Sequence, residues 1–290
     1  MAFLEYSPTK TLYQFSSVDG FRGIITSKEL WCTDLSAAND PRELELGTTL
    51  FLEAMKFVRE NEYKGAIGNF LDDIQKRVTD YRRNQQTFCA CFSLVKDDLP
   101  MWREYGSNYA GIAIGFRPTA ITAMPGRIQK VRYLNPDTQE EFRQLVRDMA
   151  SKFDPQRNLS DALYWLDAAV GAFTAITSLK HQSWTYEKEI RFVFAQSRKD
   201  HGSRLPTAEF SDHSPVYWAK PLNRSRLNTL VDYMAFPFGR RKSGASDCSK
   251  AIERVVLGPR CALTEEEVRY LLEFNGYQNF EIDKSDCQIR

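Results

Sequence analysis

Apolar residues recur with a period of two in four stretches of the chain: Thr87–Ser93, Ala110–Phe116, Ile190–Phe194 and Ile252–Leu257. That period predicts strands with one face turned to a core. Further candidate strands lie at Thr11–Ser16, Leu30–Asp34, Arg127–Leu134, Val216–Lys220, Val231–Phe236 and Asn279–Asp283. Between them the spacing turns helical at Val18–Ser27, Ala66–Arg83, Pro136–Phe153 and Ser160–Ser178, with a short turn at Leu99–Tyr105 capped by Asp98. Asn39-Asp40-Pro41-Arg42-Glu43 reads as a helix start: Asp40 as N-cap, Pro41 at the first helical position, Glu43 completing a capping box, and the helix running to about Asn61. Thr264-Glu265-Glu266-Glu267 opens a last helix in the same way. Gln196–Ser214 and Phe238–Lys250 are polar and read as loops.

The interspersed elements predict an α+β fold with a mixed, mainly antiparallel core of two packed sheets. Residues 1–290 form a single domain in this reading, and 136–180 form a helical insertion within it. Neither G-x-G-x-x-G nor G-x-x-x-x-G-K-[ST] occurs, which disfavours dinucleotide-fold and P-loop chemistry.

The strand around Phe192 carries the densest cluster of candidate chemistry, Ser183-Trp184-Thr185-Tyr186-Glu187-Lys188-Glu189-Ile190-Arg191. If the strand begins by Glu187, then Glu187, Glu189 and Arg191 share the face opposite Ile190, Phe192 and Phe194. A solvated sheet face accounts for the same pattern. A site for a polar ligand is the alternative.

Apolar residues make up 42% of the 290, enough for a sizeable core, and the net charge of +1 gives no global pull toward nucleic acid or membrane. No stretch approaches the length of a membrane span. The opening MAFLEYSPTK lacks the basic and apolar regions of a secretory signal, so a cytoplasmic protein is expected. None of the six cysteines forms C-x-x-C and the three histidines lack ligand spacing, so no metal site is expected.

The order of motifs resembles a bacterial family of unknown function, DUF2971. The pieces are Leu12-Tyr13-Gln14-Phe15-Ser16-Ser17, Leu30 to Asp34, Asn39 to Glu43, Cys91-Phe92-Ser93, Met101 to Gly106, Gly111 to Phe116, Trp184 to Arg191, and Val256 to Pro259. A second resemblance is to the ADP-ribosyltransferase-like fold, carried by Leu12-Tyr13-x-Phe15-Ser16-Ser17 and by the late Glu187-x-Glu189. It implies a core of that type, with Glu189 as catalytic carboxylate and Glu187 positioning the acceptor. Ser93 takes the middle-strand role, and Gln14 stands where the fold carries His or Arg. Tyr13, Trp102, Arg103, Tyr105 and Tyr186 complete the expected NAD site, the aromatic side chains as stacking walls. Implied, then, is an enzyme that uses NAD as substrate to modify a macromolecular acceptor, protein or nucleic acid. A toxin or phage-defence effector, with a protein partner such as an antitoxin, would fit. A non-catalytic nucleotide- or partner-binding protein and an NAD glycohydrolase are the alternatives.

The chemistry explains the residue types. Cleaving nicotinamide from ribose passes through an oxocarbenium-like state, as in glycoside hydrolysis. One carboxylate stabilises that charge, and a second takes a proton from the nucleophile once a neighbouring charge raises its pKa. Each residue also has a plainer role. Trp102 and Trp184 suit a core, Arg103 an ion pair, and Arg240-Arg241-Lys242 a solvated loop. Asn39 to Glu43 is fully explained by capping.

Overall fold

A computed structural model describes residues 6–40, 42–156, 162–198, 206–217, 219–226 and 229–289. The strands are β1 (Leu12–Ser16), β2 (Glu29–Asp34), β3 (Gln85–Ser93), β4 (Ile112–Phe116), β5 (Arg127–Lys130), β6 (Arg132–Tyr133), β7 (Leu179–Lys180) and β8 (Glu189–Ser197). They continue with β9 (Pro206–Glu209), β10 (Pro215–Tyr217), β11 (Leu222–Arg226), β12 (Thr229–Pro237), β13 (Arg240–Lys242), β14 (Ala245–Asp247), β15 (Ile252–Leu257) and β16 (Glu281–Lys284). The helices are α1 (Val18–Ser27), α2 (Glu43–Asn61), α3 (Gly65–Asn84), α4 (Leu99–Glu104), α5 (Pro118–Ile121), α6 (Thr138–Ala150), α7 (Ala162–Thr177) and α8 (Glu265–Phe274). The fold is thus mixed α and β with a mainly antiparallel sheet.

The central strand is β3. One edge pairs along its whole length with β8, which pairs in turn with β5. The other edge meets two strands, β2 at Phe88 and Cys89 and β1 at Ser93. One arm continues from β2 to β12 and β11, the other from β1 to β4, β15 and β16. Instead of the two sheets expected, one sheet forks, because the nine residues of β3 are long enough to hold two neighbours on one edge. Between those neighbours, Ala90, Cys91 and Phe92 have no strand partner on that edge among the described residues.

One face of the sheet buries Leu12, Leu30, Phe88, Ile114, Phe192 and Phe236 in the main core, together with Phe21 and Ile25 of α1 and Val268 and Leu272 of α8. The helices α2, α3, α6 and α7 share a separate apolar core around Phe51, Leu71, Val146 and Ile176. Helices α6 and α7 therefore pack on two helices from much earlier in the chain.

Local chemistry explains most boundaries. Ser17 caps α1 by accepting from the Gly20 amide at 3.1 Å. The Asp98 side chain accepts from the Met101 amide at the start of α4, and Thr264 with Glu267 forms the expected capping box. The start of α2 departs from expectation. The helix begins at Glu43 with no side-chain cap; Asp40 accepts from the Arg42 amide at 3.1 Å, and Pro41 lies outside the described residues. Glu43 is turned inward instead of back onto the chain. Two expected loops contain short strands: β9 pairs with β10, and β13 with β14. The expected strand over 127–134 breaks at Val131, whose amide donates to the Glu189 carbonyl at 3.0 Å.

Candidate functional site

The fork in the sheet opens a cavity of about 570 Å³, within the range of small-molecule sites. Its walls come from β1 (Tyr13, Gln14, Phe15), α1 (Gly20, Gly23, Ile24), β2 (Trp31, Thr33), β3 (Cys89 to Ser93) and the carboxylate cluster described next. The strand register puts Thr33, Cys89, Cys91, Ser93, Arg191 and Glu189 on one sheet face.

That face is buried, contrary to the solvated reading: Glu187, Glu189 and Arg191 are 3%, 4% and 1% exposed. The strand begins at Glu189, after a 3₁₀ turn over Gln182–Glu187 and a left-handed Lys188. Even so, Glu187 and Glu189 converge, because Lys180 donates to both, at 2.6 and 3.0 Å. Arg191 donates twice to Glu189, at 2.7 and 3.1 Å. It also donates to the Thr177 carbonyl at 2.8 Å and to Glu43 Oε1. A guanidinium at the C-terminus of α7 and a carboxylate at the N-terminus of α2 both complement the helix dipoles. The cluster thus ties two helices to β8. Tyr105 donates its hydroxyl to Glu187 Oε1.

Three buried carboxylates face two buried cations, and their surroundings separate them. Burial alone would raise Glu189, but Arg191 and Lys180 overcome it and hold this carboxyl well below the usual range. Burial and then the charge of Glu189 push Glu187 up to about 7, against the pull of Lys180. Burial also raises Glu43, opposed by Arg191. For Lys180 burial works against the charge, yet Glu189 and Glu187 hold it above the usual ammonium value. Two buried acceptors on this cavity have no hydrogen-bond partner among the described residues, Gln14 Oε1 and Glu43 Oε2. An unsatisfied buried oxygen is costly unless a ligand supplies the donor.

Of the residues expected at the site, Tyr13, Gln14, Ser93, Tyr105, Glu187 and Glu189 line this one cavity. Ser93 donates its hydroxyl to the Glu187 carbonyl at 2.7 Å and so fixes the turn before β8. Trp102, Arg103 and Tyr186 are not among the lining residues. Trp102 is fully buried, edge-on to Phe15 at 4.7 Å. Arg103 lies on the surface beside Glu104, and Tyr186 packs against Trp184. Sequence reasoning missed Glu43, Lys180, Trp31 and Arg224. The acidic residue in the Asn39 to Glu43 motif was the one available signal for Glu43, and capping had absorbed it. Among the described residues no group of three or more His, Cys, Asp or Glu is placed to hold a metal ion, and no helix is long and apolar enough to cross a membrane.

Residues 101–192 match the model of a family described as "Protein of unknown function (DUF2971)". The matched segment includes Tyr105, Lys180, Glu187, Glu189 and Arg191. Comparison with curated proteins and with solved structures gave no match.

Proposed function

We propose that the cavity binds NAD with its nicotinamide riboside half against the carboxylate cluster, and that the protein transfers ADP-ribose to a macromolecular acceptor. The observation that carries this reading is the pair of orphaned acceptors, Gln14 Oε1 and Glu43 Oε2, in a cavity with more buried carboxylates than cations. Such a site asks for a ligand rich in hydrogen-bond donors and bearing positive charge. The pyridinium ring, its carboxamide N–H₂ and the ribose hydroxyls meet both demands.

In this reading the roles of the two glutamates differ from those carried over by resemblance. Both oxygens of Glu189 are taken by Arg191 and Lys180. It stays ionised and holds the two cations in place. Glu187, near neutrality, is the group that exchanges a proton. The bond from ribose C1′ to the pyridinium nitrogen breaks, its electron pair leaves with neutral nicotinamide, and the carboxylates offset the charge developing on the ribose. The acceptor nucleophile bonds to C1′ and gives its proton to Glu187.

The test incubates the protein with NAD labelled in its adenylate half and a cell lysate. Covalent label on a macromolecule, with release of nicotinamide, is expected. Glu187→Gln should lower turnover by about 10²- to 10⁴-fold with the fold retained. Nicotinamide release without covalent label identifies a glycohydrolase. The engagement of both oxygens of Glu189, and of Glu187 by Tyr105 and Lys180, favours one second reading, a nucleotide-binding protein without turnover. NAD binding with no nicotinamide release would establish it.

A further inference from the structure

The β2 side of the cavity has a different chemistry from the cluster around Glu187 and Glu189. Trp31 lines it and is 46% exposed. The indole is not loose. It stacks on Tyr233 with ring centroids 4.6 Å apart and planes 30° apart. Arg224 sits beside the stacked pair, its guanidinium carbon 5.7 and 5.9 Å from the two ring centroids. The Thr33 hydroxyl fixes that guanidinium by accepting from it at 2.7 Å. The pairing of Thr33 with Cys89 projects Trp31 to the level of Cys91, across the gap where the sheet has forked. Asp34, at the end of the same strand, is engaged by the Ser36 amide and hydroxyl and by Gln86, so its charge is already satisfied.

We infer that Trp31, backed by Tyr233 and flanked by Arg224, is a subsite for a nucleobase and its attached phosphate. A rigid, half-exposed indole offers a flat face that any base can stack on. A guanidinium beside it supplies the planar donors that suit phosphate oxygens. The cavity is thereby polarised. One side demands donors and positive charge; the β2 side, where Glu29 and the already engaged Asp34 also line the wall, offers an aromatic face and a cation. A base with phosphate reaches this subsite from either of two sources: the ADP half of the dinucleotide, or a nucleotide of a nucleic-acid acceptor.

The inference rests on the proposal that the cavity is a nucleotide site, but its test reads binding and not turnover. Calorimetric titration of the full chain would use ADP and, separately, a short single-stranded oligothymidylate. The variants are Trp31→Ala, Trp31→Phe and Arg224→Gln. Trp31→Ala and Arg224→Gln are expected to weaken binding roughly 10- to 100-fold. Trp31→Phe, which keeps a stacking face, should stay within a few-fold of wild type. ADP binding with this pattern assigns the subsite to the dinucleotide, and oligonucleotide binding with the same pattern assigns it to the acceptor. Failure of both probes to bind wild type, or binding that Trp31→Ala leaves unchanged, overturns the inference. Nicotinamide release in the face of that second result leaves the proposed reaction standing; ADP binding without nicotinamide release does the reverse.

Discussion

Glu187 and Glu189 are two residues apart in sequence, share Lys180, and are driven in opposite directions by what else surrounds them. Glu189 has a guanidinium on both oxygens, whereas Glu187 has a phenol and an ammonium. Two neighbouring acids with separated pKa values are a recurring arrangement for proton transfer. If Glu187 accepts the proton of the nucleophile, kcat/KM should rise with pH through about 7, the value to which burial and Glu189 push it. Glu187→Gln should remove that limb from the profile of nicotinamide release. The same group leaves a mark on stability. Because its folded pKa is raised, its contribution is complete below the unfolded carboxylate value and is lost as pH rises through about 7. Glu189, held below its usual range, contributes above the unfolded value and loses that contribution only in acid. Denaturant midpoints at pH 5 and pH 8 should therefore differ less in Glu187→Gln than in wild type. Glu189→Gln belongs to a different class. It leaves Arg191, 1% exposed, without its bidentate partner, so a loss of about 3–5 kcal/mol is expected from urea unfolding. Both glutamates stood out in the sequence, but alternation accounts only for Glu189 with Arg191; Glu187 reaches the same cluster from the 3₁₀ turn before the strand. Lys180 did not stand out, because nothing around Leu179-Lys180 marks it as the partner of residues seven and nine positions on.

At the scale of elements, strands with an apolar face announced themselves, and those without one did not. β11 reads Leu-Asn-Arg-Ser-Arg and lies at the sheet edge, where polar side chains are the rule and no period of two appears. The hairpin of β13 and β14 was hidden in the same way behind charge. Helix boundaries were legible wherever the cap residue does only capping, as Ser17, Asp98 and Thr264 do. Where α2 starts, Glu43 is used by Arg191, and a purely local rule was bound to misplace it. Helix α1 carries a further consequence. Gly23 lines the cavity, and a Cβ built on it meets nothing within 4 Å among the described residues. Glycine in a helix interior costs about 0.5–1 kcal/mol relative to alanine, and a side chain here would project into open space at the cavity wall. Gly23→Leu should raise the melting temperature slightly while weakening nucleotide binding at least tenfold. A variant that binds as wild type does would mean that ligand does not pass along α1.

The whole molecule brings together residues that no local pattern connects. Gln14 comes from the first strand, Glu43 from the helical layer, and Glu187 with Glu189 from a turn and strand nearly 150 residues further on. Their meeting depends on β3 holding β8 on one edge and two diverging strands on the other. That long-range register is set by tertiary pairing and leaves no signature in sequence spacing. It also makes the cavity a junction, with walls from both arms of the fork, α1 and α2. A ligand bound there favours the folded state by about 2.7 kcal/mol at 100 times its Kd. Because Glu43 is the contribution of the helical layer, it reports whether that layer shares in binding. If Glu43 Oε2, unpartnered in the structure, receives a donor from the ligand, Glu43→Gln alters the very oxygen the ligand seeks. NAD at a fixed concentration should then raise its melting temperature clearly less than that of wild type. Without ligand, Glu43→Gln should itself melt lower, since Arg191 loses a charged partner. Scanning calorimetry of both proteins, with and without NAD, measures the two effects separately. A lower melting temperature with an undiminished ligand-induced rise would make Glu43 a purely structural member of the cluster and leave Gln14 as the cavity's only orphaned acceptor among the described residues.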